Sequence, residues 1–215
     1  MKKVDVTLYL VTDRGGMTVD VFLRKIEQAC LGGVTLVQVR EKECTTAEYI
    51  NLALKVKEIT DKYGVPMLID DRADVAQAVG ADGVHMGAED MPVRLARQIL
   101  GERKIIGATA KSVERARQAE KEGADYLGTG AIFEPTVKVK THRTDIKTLD
   151  EICRSVTIPV AAISGINIGN VGKLAGVPIA GIAVIAAIMD PPTERVAEET
   201  RRLRERVEEV ICVRC

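Results

Sequence analysis

Apolar positions recur along this chain on two periods, one helical and one strand-like, in strict alternation. Residues 18–31 place Val21, Phe22, Ile26 and Ala29 on one helical face, Gly32 and Gly33 interrupt it, and the β-branched run 35–39 follows. The same cycle predicts further helices over 47–63, 73–79, 93–100, 113–122, 149–155, 170–175 and 193–210, and strands over 65–69, 83–86, 105–108, 126–129, 159–163 and 179–185. Glycine directly after several of these helices fits the left-handed conformation common at that position. With residues 7–11 as the first strand, the chain holds eight strand–helix units. The strands are short, Val- and Ile-rich and apolar on both faces, as in a parallel sheet covered on both sides. Eight such α/β units in succession predict a closed (β/α)8 TIM barrel, a single domain over residues 1–215. At this length most loops must be minimal, yet the stretch 130–147 is long and polar, which marks it as functional.

Composition narrows what such a barrel does. Lys+Arg and Asp+Glu balance at 31 each, so no general attraction draws the chain to nucleic acid or to an anionic membrane. Aromatic residues are 3% with no Trp, too few for base-stacking platforms. The basic run Arg201-Arg202-Leu203-Arg204 reads as a solvated helix face. The longest apolar run, 179–189, is too short to cross a bilayer, and the N-terminal residues enter a strand-like run too early for a signal peptide. Five scattered cysteines make a poor disulfide framework and fit a reducing compartment, so a cytoplasmic location is expected. Cys212 and Cys215 have C-x-x-C spacing but no second ligand pair, and read as a chemically idle tail. Small molecules remain as the expected partners, and a homo-oligomer is compatible with the sequence.

In this architecture chemistry gathers where strands end and helices begin. Arg40 and Lys42 follow the second strand, Asp71 the third, Asp90 the fourth and Thr109 the fifth. Lys138 lies in the long loop, Ser164 and Gly165 follow the seventh strand, and Ile185-Ala186-Ala187 the eighth. Carboxylates collected at strand ends suit a hard, oxygen-loving cation such as Mg²⁺, and neighbouring Arg and Lys suit the phosphate oxygens that such a cation also holds. A site for Mg²⁺ and a diphosphate is the first expectation. The bland alternative for Asp71 and Asp90 is helix N-capping, a position that Asp favours. His85 reads as a packed or hydrogen-bonded residue near the rim, not as a base.

Several segments resemble the thiamine-phosphate synthase family, over most of the chain from Leu8 to about Met189 and in family order. They are Gln38-Val39-Arg40-Glu41-Lys42, residues 80–90 (GADGVHMGAED), residues 123–128 (GADYLG), Ile158-Pro159-Val160 and Gly165-Ile166-Asn167. The resemblance implies an enzyme that joins hydroxymethylpyrimidine diphosphate to a thiazole phosphate with Mg²⁺ and releases diphosphate by a dissociative route. It implies that Gln38, Val39, Arg40, Glu41 and Lys42, with Asp70 and Thr109, face the pyrimidine diphosphate. Asp71 and Asp90 would hold Mg²⁺. Pro135, Thr136 and Val137 would meet the thiazole, Lys138 would reach the diphosphate, and Gly165 with the Ile185-Ala186 backbone would bind the thiazole phosphate. Arg40, Lys42 and Lys138 carry the catalytic charge in this reading, and the loop with Lys140 and Arg143 could close over the site.

The chain also departs from the family pattern. Asp70 stands where the family usually has Asn, and Thr109 where it typically has Ser. Val137 interrupts a Thr-x-Thr-Lys motif, Ser164 replaces a glycine, and Ala186 replaces a serine. Two other readings follow from these departures: a thiazole tautomerase-like enzyme, and a non-catalytic barrel that binds a thiamine precursor. The tautomerase needs a histidine near the sixth strand, where this chain has Gly130-Ala131.

Overall fold

A computed structural model describes residues 4–134 and 143–212. Eight parallel strands close in sequence order into a barrel. They are β1 (Leu8–Val11), β2 (Leu36–Val39), β3 (Met67–Asp70), β4 (Gly83–Met86), β5 (Ile105–Thr109), β6 (Tyr126–Thr129), β7 (Val160–Ile163) and β8 (Gly181–Val184). The ring shuts where Tyr9 of β1 pairs with Ala183 of β8.

Helices α1 (Val19–Gly32), α2 (Thr46–Tyr63), α3 (Ala73–Ala78), α4 (Val93–Leu100), α5 (Val113–Lys121) and α6 (Ile146–Ser155) follow the first six strands. Their ends are set by local chemistry. Thr45 and Glu48 form a reciprocal capping box at the start of α2, and Gly64 ends it at φ 66°. The helix expected over 170–175 is instead a single 3-10 turn, Val171–Leu174. Gly172 and Gly176 leave too little helix-forming chain there to nucleate a full turn. After β8 a short helix α7 (Ala186–Met189) precedes the long α8 (Thr193–Cys212). Among the described residues no helix is long and apolar enough to cross a membrane.

Period-2 alternation splits the strand residues into two shells. Leu8, Leu10, Val37, Val39, Ile69, Met86, Ile106 and Leu127 face the helices, all buried. Tyr9, Leu36, Leu68, Ile105, Tyr126, Ala161 and Ala183 fill the barrel itself. Full burial of a large apolar side chain contributes roughly 1.5–3 kcal/mol. A shell of many such residues lets the barrel accept a polar layer at one end. One glycine makes that layer fit: a Cβ on Gly107 would stand 2.2 Å from Cζ of Tyr126.

Candidate active site at the barrel mouth

The last inward-facing residues of β2 to β5 are Gln38, Asp70, His85 and Thr109, and they line the C-terminal mouth. Asp70 is the hub. Lys42 Nζ lies 3.1 Å and Arg40 Nε 3.8 Å from its Oδ2, while Gln38 Nε2 donates to its Oδ1. Burial, then the charge of Asp71, raises the Asp70 pKa to about 6, against the pull of Lys42 and Arg40. Burial acts against the charge on Lys42, but its contacts with Asp71 and Asp70 outweigh this and raise its pKa.

Asp71 follows the end of β3 in the left-handed region, at φ 61°. Its N–H donates to the His85 carbonyl at 2.9 Å, which fixes that turn. Such a conformation costs a non-glycine residue about 1–2 kcal/mol, though Asp tolerates it better than most. Its carboxylate contacts Lys42 and shares a hydrogen bond with Asp90. Asp90 in turn accepts from the Gly87 N–H at 2.7 Å. Neither aspartate caps a helix: Arg72 and Pro92 occupy the positions before α3 and α4, without side-chain caps.

The two carboxylates shift in opposite directions. Burial pushes Asp71 up, but hydrogen bonds from Asp90 and Lys42 prevail and hold it below the ordinary range. Burial, then Asp71 itself, raises Asp90. Two carboxylates this close together at a strand-end rim suit a divalent cation, with water and phosphate oxygens as further ligands. Among the described residues no group of three or more His, Cys, Asp or Glu forms a ready-made metal cage.

Beneath this layer runs a feature the residue pattern did not single out. Tyr9 and Tyr126, both buried, meet through their hydroxyls at 2.8 Å. His85 Nδ1 lies 2.9 Å from the Tyr126 hydroxyl and Nε2 lies 3.0 Å from Thr109 Oγ1. Burial lowers the His85 pKa to about 4. His85 is thus a hydrogen-bonded residue near the rim, as the sequence reading expects. The available signal for the tyrosines was their inward parity on β1 and β6.

Two expected contacts look elsewhere. Val39 points out of the barrel into the helix-facing core, and its carbonyl accepts from the Tyr49 hydroxyl of α2 at 2.7 Å. The Glu41 side chain is largely covered and ion-paired with Arg14 at 3.3 Å, tying the β2–α2 loop to the β1–α1 loop. Among the described residues its Oε1 has no hydrogen-bond partner.

The opposite side of the mouth is built from main chain. Ser164 and Gly165 are both left-handed, at φ 83° and 66°. Asn170 Nδ2 donates to the Gly165 carbonyl at 2.7 Å and Oδ1 accepts from Asn167 N–H at 2.9 Å, closing the turn after β7. Phe133 N–H donates to the Ser164 carbonyl at 3.1 Å, anchoring the start of the long loop. Ile185 and Ala186 open α7, whose first amides lack intrahelical partners by geometry. Behind α7, buried Lys25 donates to the Met189 carbonyl at 2.6 Å. Pro135, Thr136, Val137, Lys138 and Lys140 lie outside the described residues.

Comparison with known proteins agrees across the whole barrel. A family model described as thiamine monophosphate synthase matches residues 8–188. A Streptococcus pneumoniae protein named thiamine-phosphate synthase 2 is 53% identical over 189 residues, covering 88% of this chain and 90% of that protein. A Clostridium tetani thiamine-phosphate synthase is 48% identical, covering 87% and 90%. The solved thiamine phosphate pyrophosphorylase of Pyrococcus furiosus superposes with a TM-score of 0.84 at 40% identity, covering 97% of this chain and 98% of that one.

Proposed function

We propose that this chain, which belongs to the thiamine monophosphate synthase family and is a thiamine phosphate-forming enzyme, breaks the bond between pyrimidine and diphosphate under fixed positive charge at its barrel mouth. The observation that carries this reading is the meeting of Arg40 and Lys42 with Asp70, Asp71 and Asp90 on one rim.

The C–O bond between the pyrimidinylmethyl carbon and the diphosphate breaks first, and its electron pair leaves with the diphosphate. The thiazole nitrogen then gives its lone pair to that carbon and forms the C–N bond. No protein nucleophile or base is required. What the site must supply is stabilisation of charge as it builds on the leaving group. Arg40 and Lys42 do this without large reorganisation, because Asp70 already holds both at the rim. Asp71 and Asp90 are the residues that would hold Mg²⁺, and a bound Mg²⁺ supplies a further positive centre for the diphosphate oxygens. Gln38, Asp70 and Thr109 face the pyrimidine, and Gly165 with the Ile185-Ala186 backbone takes the thiazole phosphate. By their place in the family pattern, Lys138 is assigned to the diphosphate and Pro135, Thr136 and Val137 to the thiazole. Water must be kept from the cationic carbon, which it would otherwise trap.

The test is a Mg²⁺ titration of thiamine phosphate formation with both substrates. Asp71→Ala and Asp90→Ala should each shift the Mg²⁺ requirement upward and lower turnover at least tenfold, while thermal unfolding changes little. Unchanged turnover and Mg²⁺ response in both variants would remove the metal assignment.

A further inference from the structure

A chain of hydrogen bonds crosses the inside of the barrel from Asp70 to Thr109, and it admits one direction. Asp70 lies against Lys42 and Arg40, at 3.1 and 3.8 Å, so its carboxylate has no hydrogen to give. Gln38 therefore turns its amide nitrogen to Asp70. Its carbonyl oxygen is then the atom facing the Tyr9 hydroxyl, and Tyr9 donates to it. A phenol has a single hydrogen. Tyr9, having committed its own, accepts from Tyr126 across 2.8 Å. Tyr126 must in turn accept from His85 Nδ1 at 2.9 Å. A neutral imidazole carries one N–H. With it on Nδ1, Nε2 presents a lone pair and accepts from Thr109 Oγ1 at 3.0 Å.

We infer that Asp70 sets the sense of this relay, fixing His85 as the Nδ1–H tautomer and leaving the Thr109 hydroxyl as a hydrogen-bond acceptor toward the mouth. Every other link is reversible by itself: amides flip, hydroxyls rotate and imidazole has two tautomers. Only a group that accepts and never donates can impose a direction on them. A neutral amide at position 70 would remove that constraint, since it does both. Asp70 is thus a positioning residue for Thr109, acting through Gln38, Tyr9, Tyr126 and His85. Thr109 in this state fits a donor on the ligand, such as the amino group of an aminopyrimidine, rather than a phosphate oxygen. This last step rests on the proposed pyrimidine diphosphate site.

The experiment uses the full chain with ¹⁵N-labelled histidine at pH 8, in a His142→Gln background that leaves His85 as the single imidazole. Two-bond ¹H–¹⁵N spectra should show a protonated Nδ1 and an unprotonated Nε2. An Nε2–H tautomer, or a ring protonated on both nitrogens, overturns the inference. Asp70→Asn should introduce the Nε2–H form. So should Tyr9→Phe, which cuts the relay while keeping the Asp70 ion pairs. A spectrum unmoved by both variants overturns Asp70 as its origin. For the outer end, Thr109→Val should raise the pyrimidine diphosphate KM roughly five- to tenfold, the loss of one hydrogen bond, with inhibition by inorganic diphosphate unchanged. Weakened inhibition by inorganic diphosphate would place Thr109 on phosphate and overturn the acceptor assignment. The tautomer is read without substrate, so its failure is distinct from failure of the substrate reading.

Discussion

The two halves of the barrel mouth are made of different material. Along β2 to β4 the site consists of side-chain charge: Arg40, Lys42, Asp70, Asp71 and Asp90 in mutual contact. Along β7 and β8 it consists of backbone, with left-handed Ser164 and Gly165, the opening of α7, and Asn170 and Lys25 holding carbonyls from behind. Charge is lost with one side chain. Backbone geometry is lost only when something forces the chain to move. The first half should therefore be sensitive to deletion and the second to addition.

The largest effect should come from Lys42→Ala. Removing a preorganised cation from a developing negative charge lowers kcat on the order of 10²–10³-fold, measured with both substrates saturating. Because Lys42 is half exposed, unfolding temperature should scarcely change; a large drop there would mean that its role is structural. Gly165→Ala comes next and tests the other half. The added Cβ would stand 2.5 Å from the Glu134 carbonyl oxygen, at a residue with φ 66°. Steady-state kinetics should show a tenfold or greater rise in the thiazole phosphate KM, with the pyrimidine diphosphate KM held, for a strain of about 1–3 kcal/mol. Equal rises for both substrates would erase the division between the halves.

A smaller effect concerns pH. His85 titrates near 4 when folded, below the ordinary value of 6.5. The unfolded chain therefore binds a proton that the folded chain refuses, so the contribution is present above about pH 6.5 and is lost as pH falls toward 4. Urea unfolding from pH 7.5 to 4.5 should show a steeper decline for the parent chain than for His85→Gln; parallel curves would remove this term. The mildest change should be Ala186→Ser, which adds a hydroxyl beside α7's first amides. A fall of at most about fivefold in the thiazole phosphate KM is expected, the value of one neutral hydrogen bond.

The barrel was legible because its strands are short β-branched runs separated by glycine-terminated amphipathic helices, and that pattern carries topology. Its punctuation was less so. Pro66 delays β3 to Met67, because proline gives no N–H to the ladder. The apolar run beginning at Ile179 hides a change from strand to α7, since alanine and isoleucine suit both. The charged rim could be read from strand-end positions alone. The left-handed turn at Asp71 and the Tyr9–Tyr126 contact could not, because each depends on partners brought near by closure of the barrel. Residues 117 positions apart in sequence supply that tyrosine pair.

Gly107 hollows out the space that the Tyr126 ring occupies. Take the ring away, as in Tyr126→Gly, and the barrel would hold a phenol-shaped vacancy beside His85. Free phenol could then restore the missing hydroxyl, which makes the interior of this enzyme open to chemical complementation by a small soluble molecule.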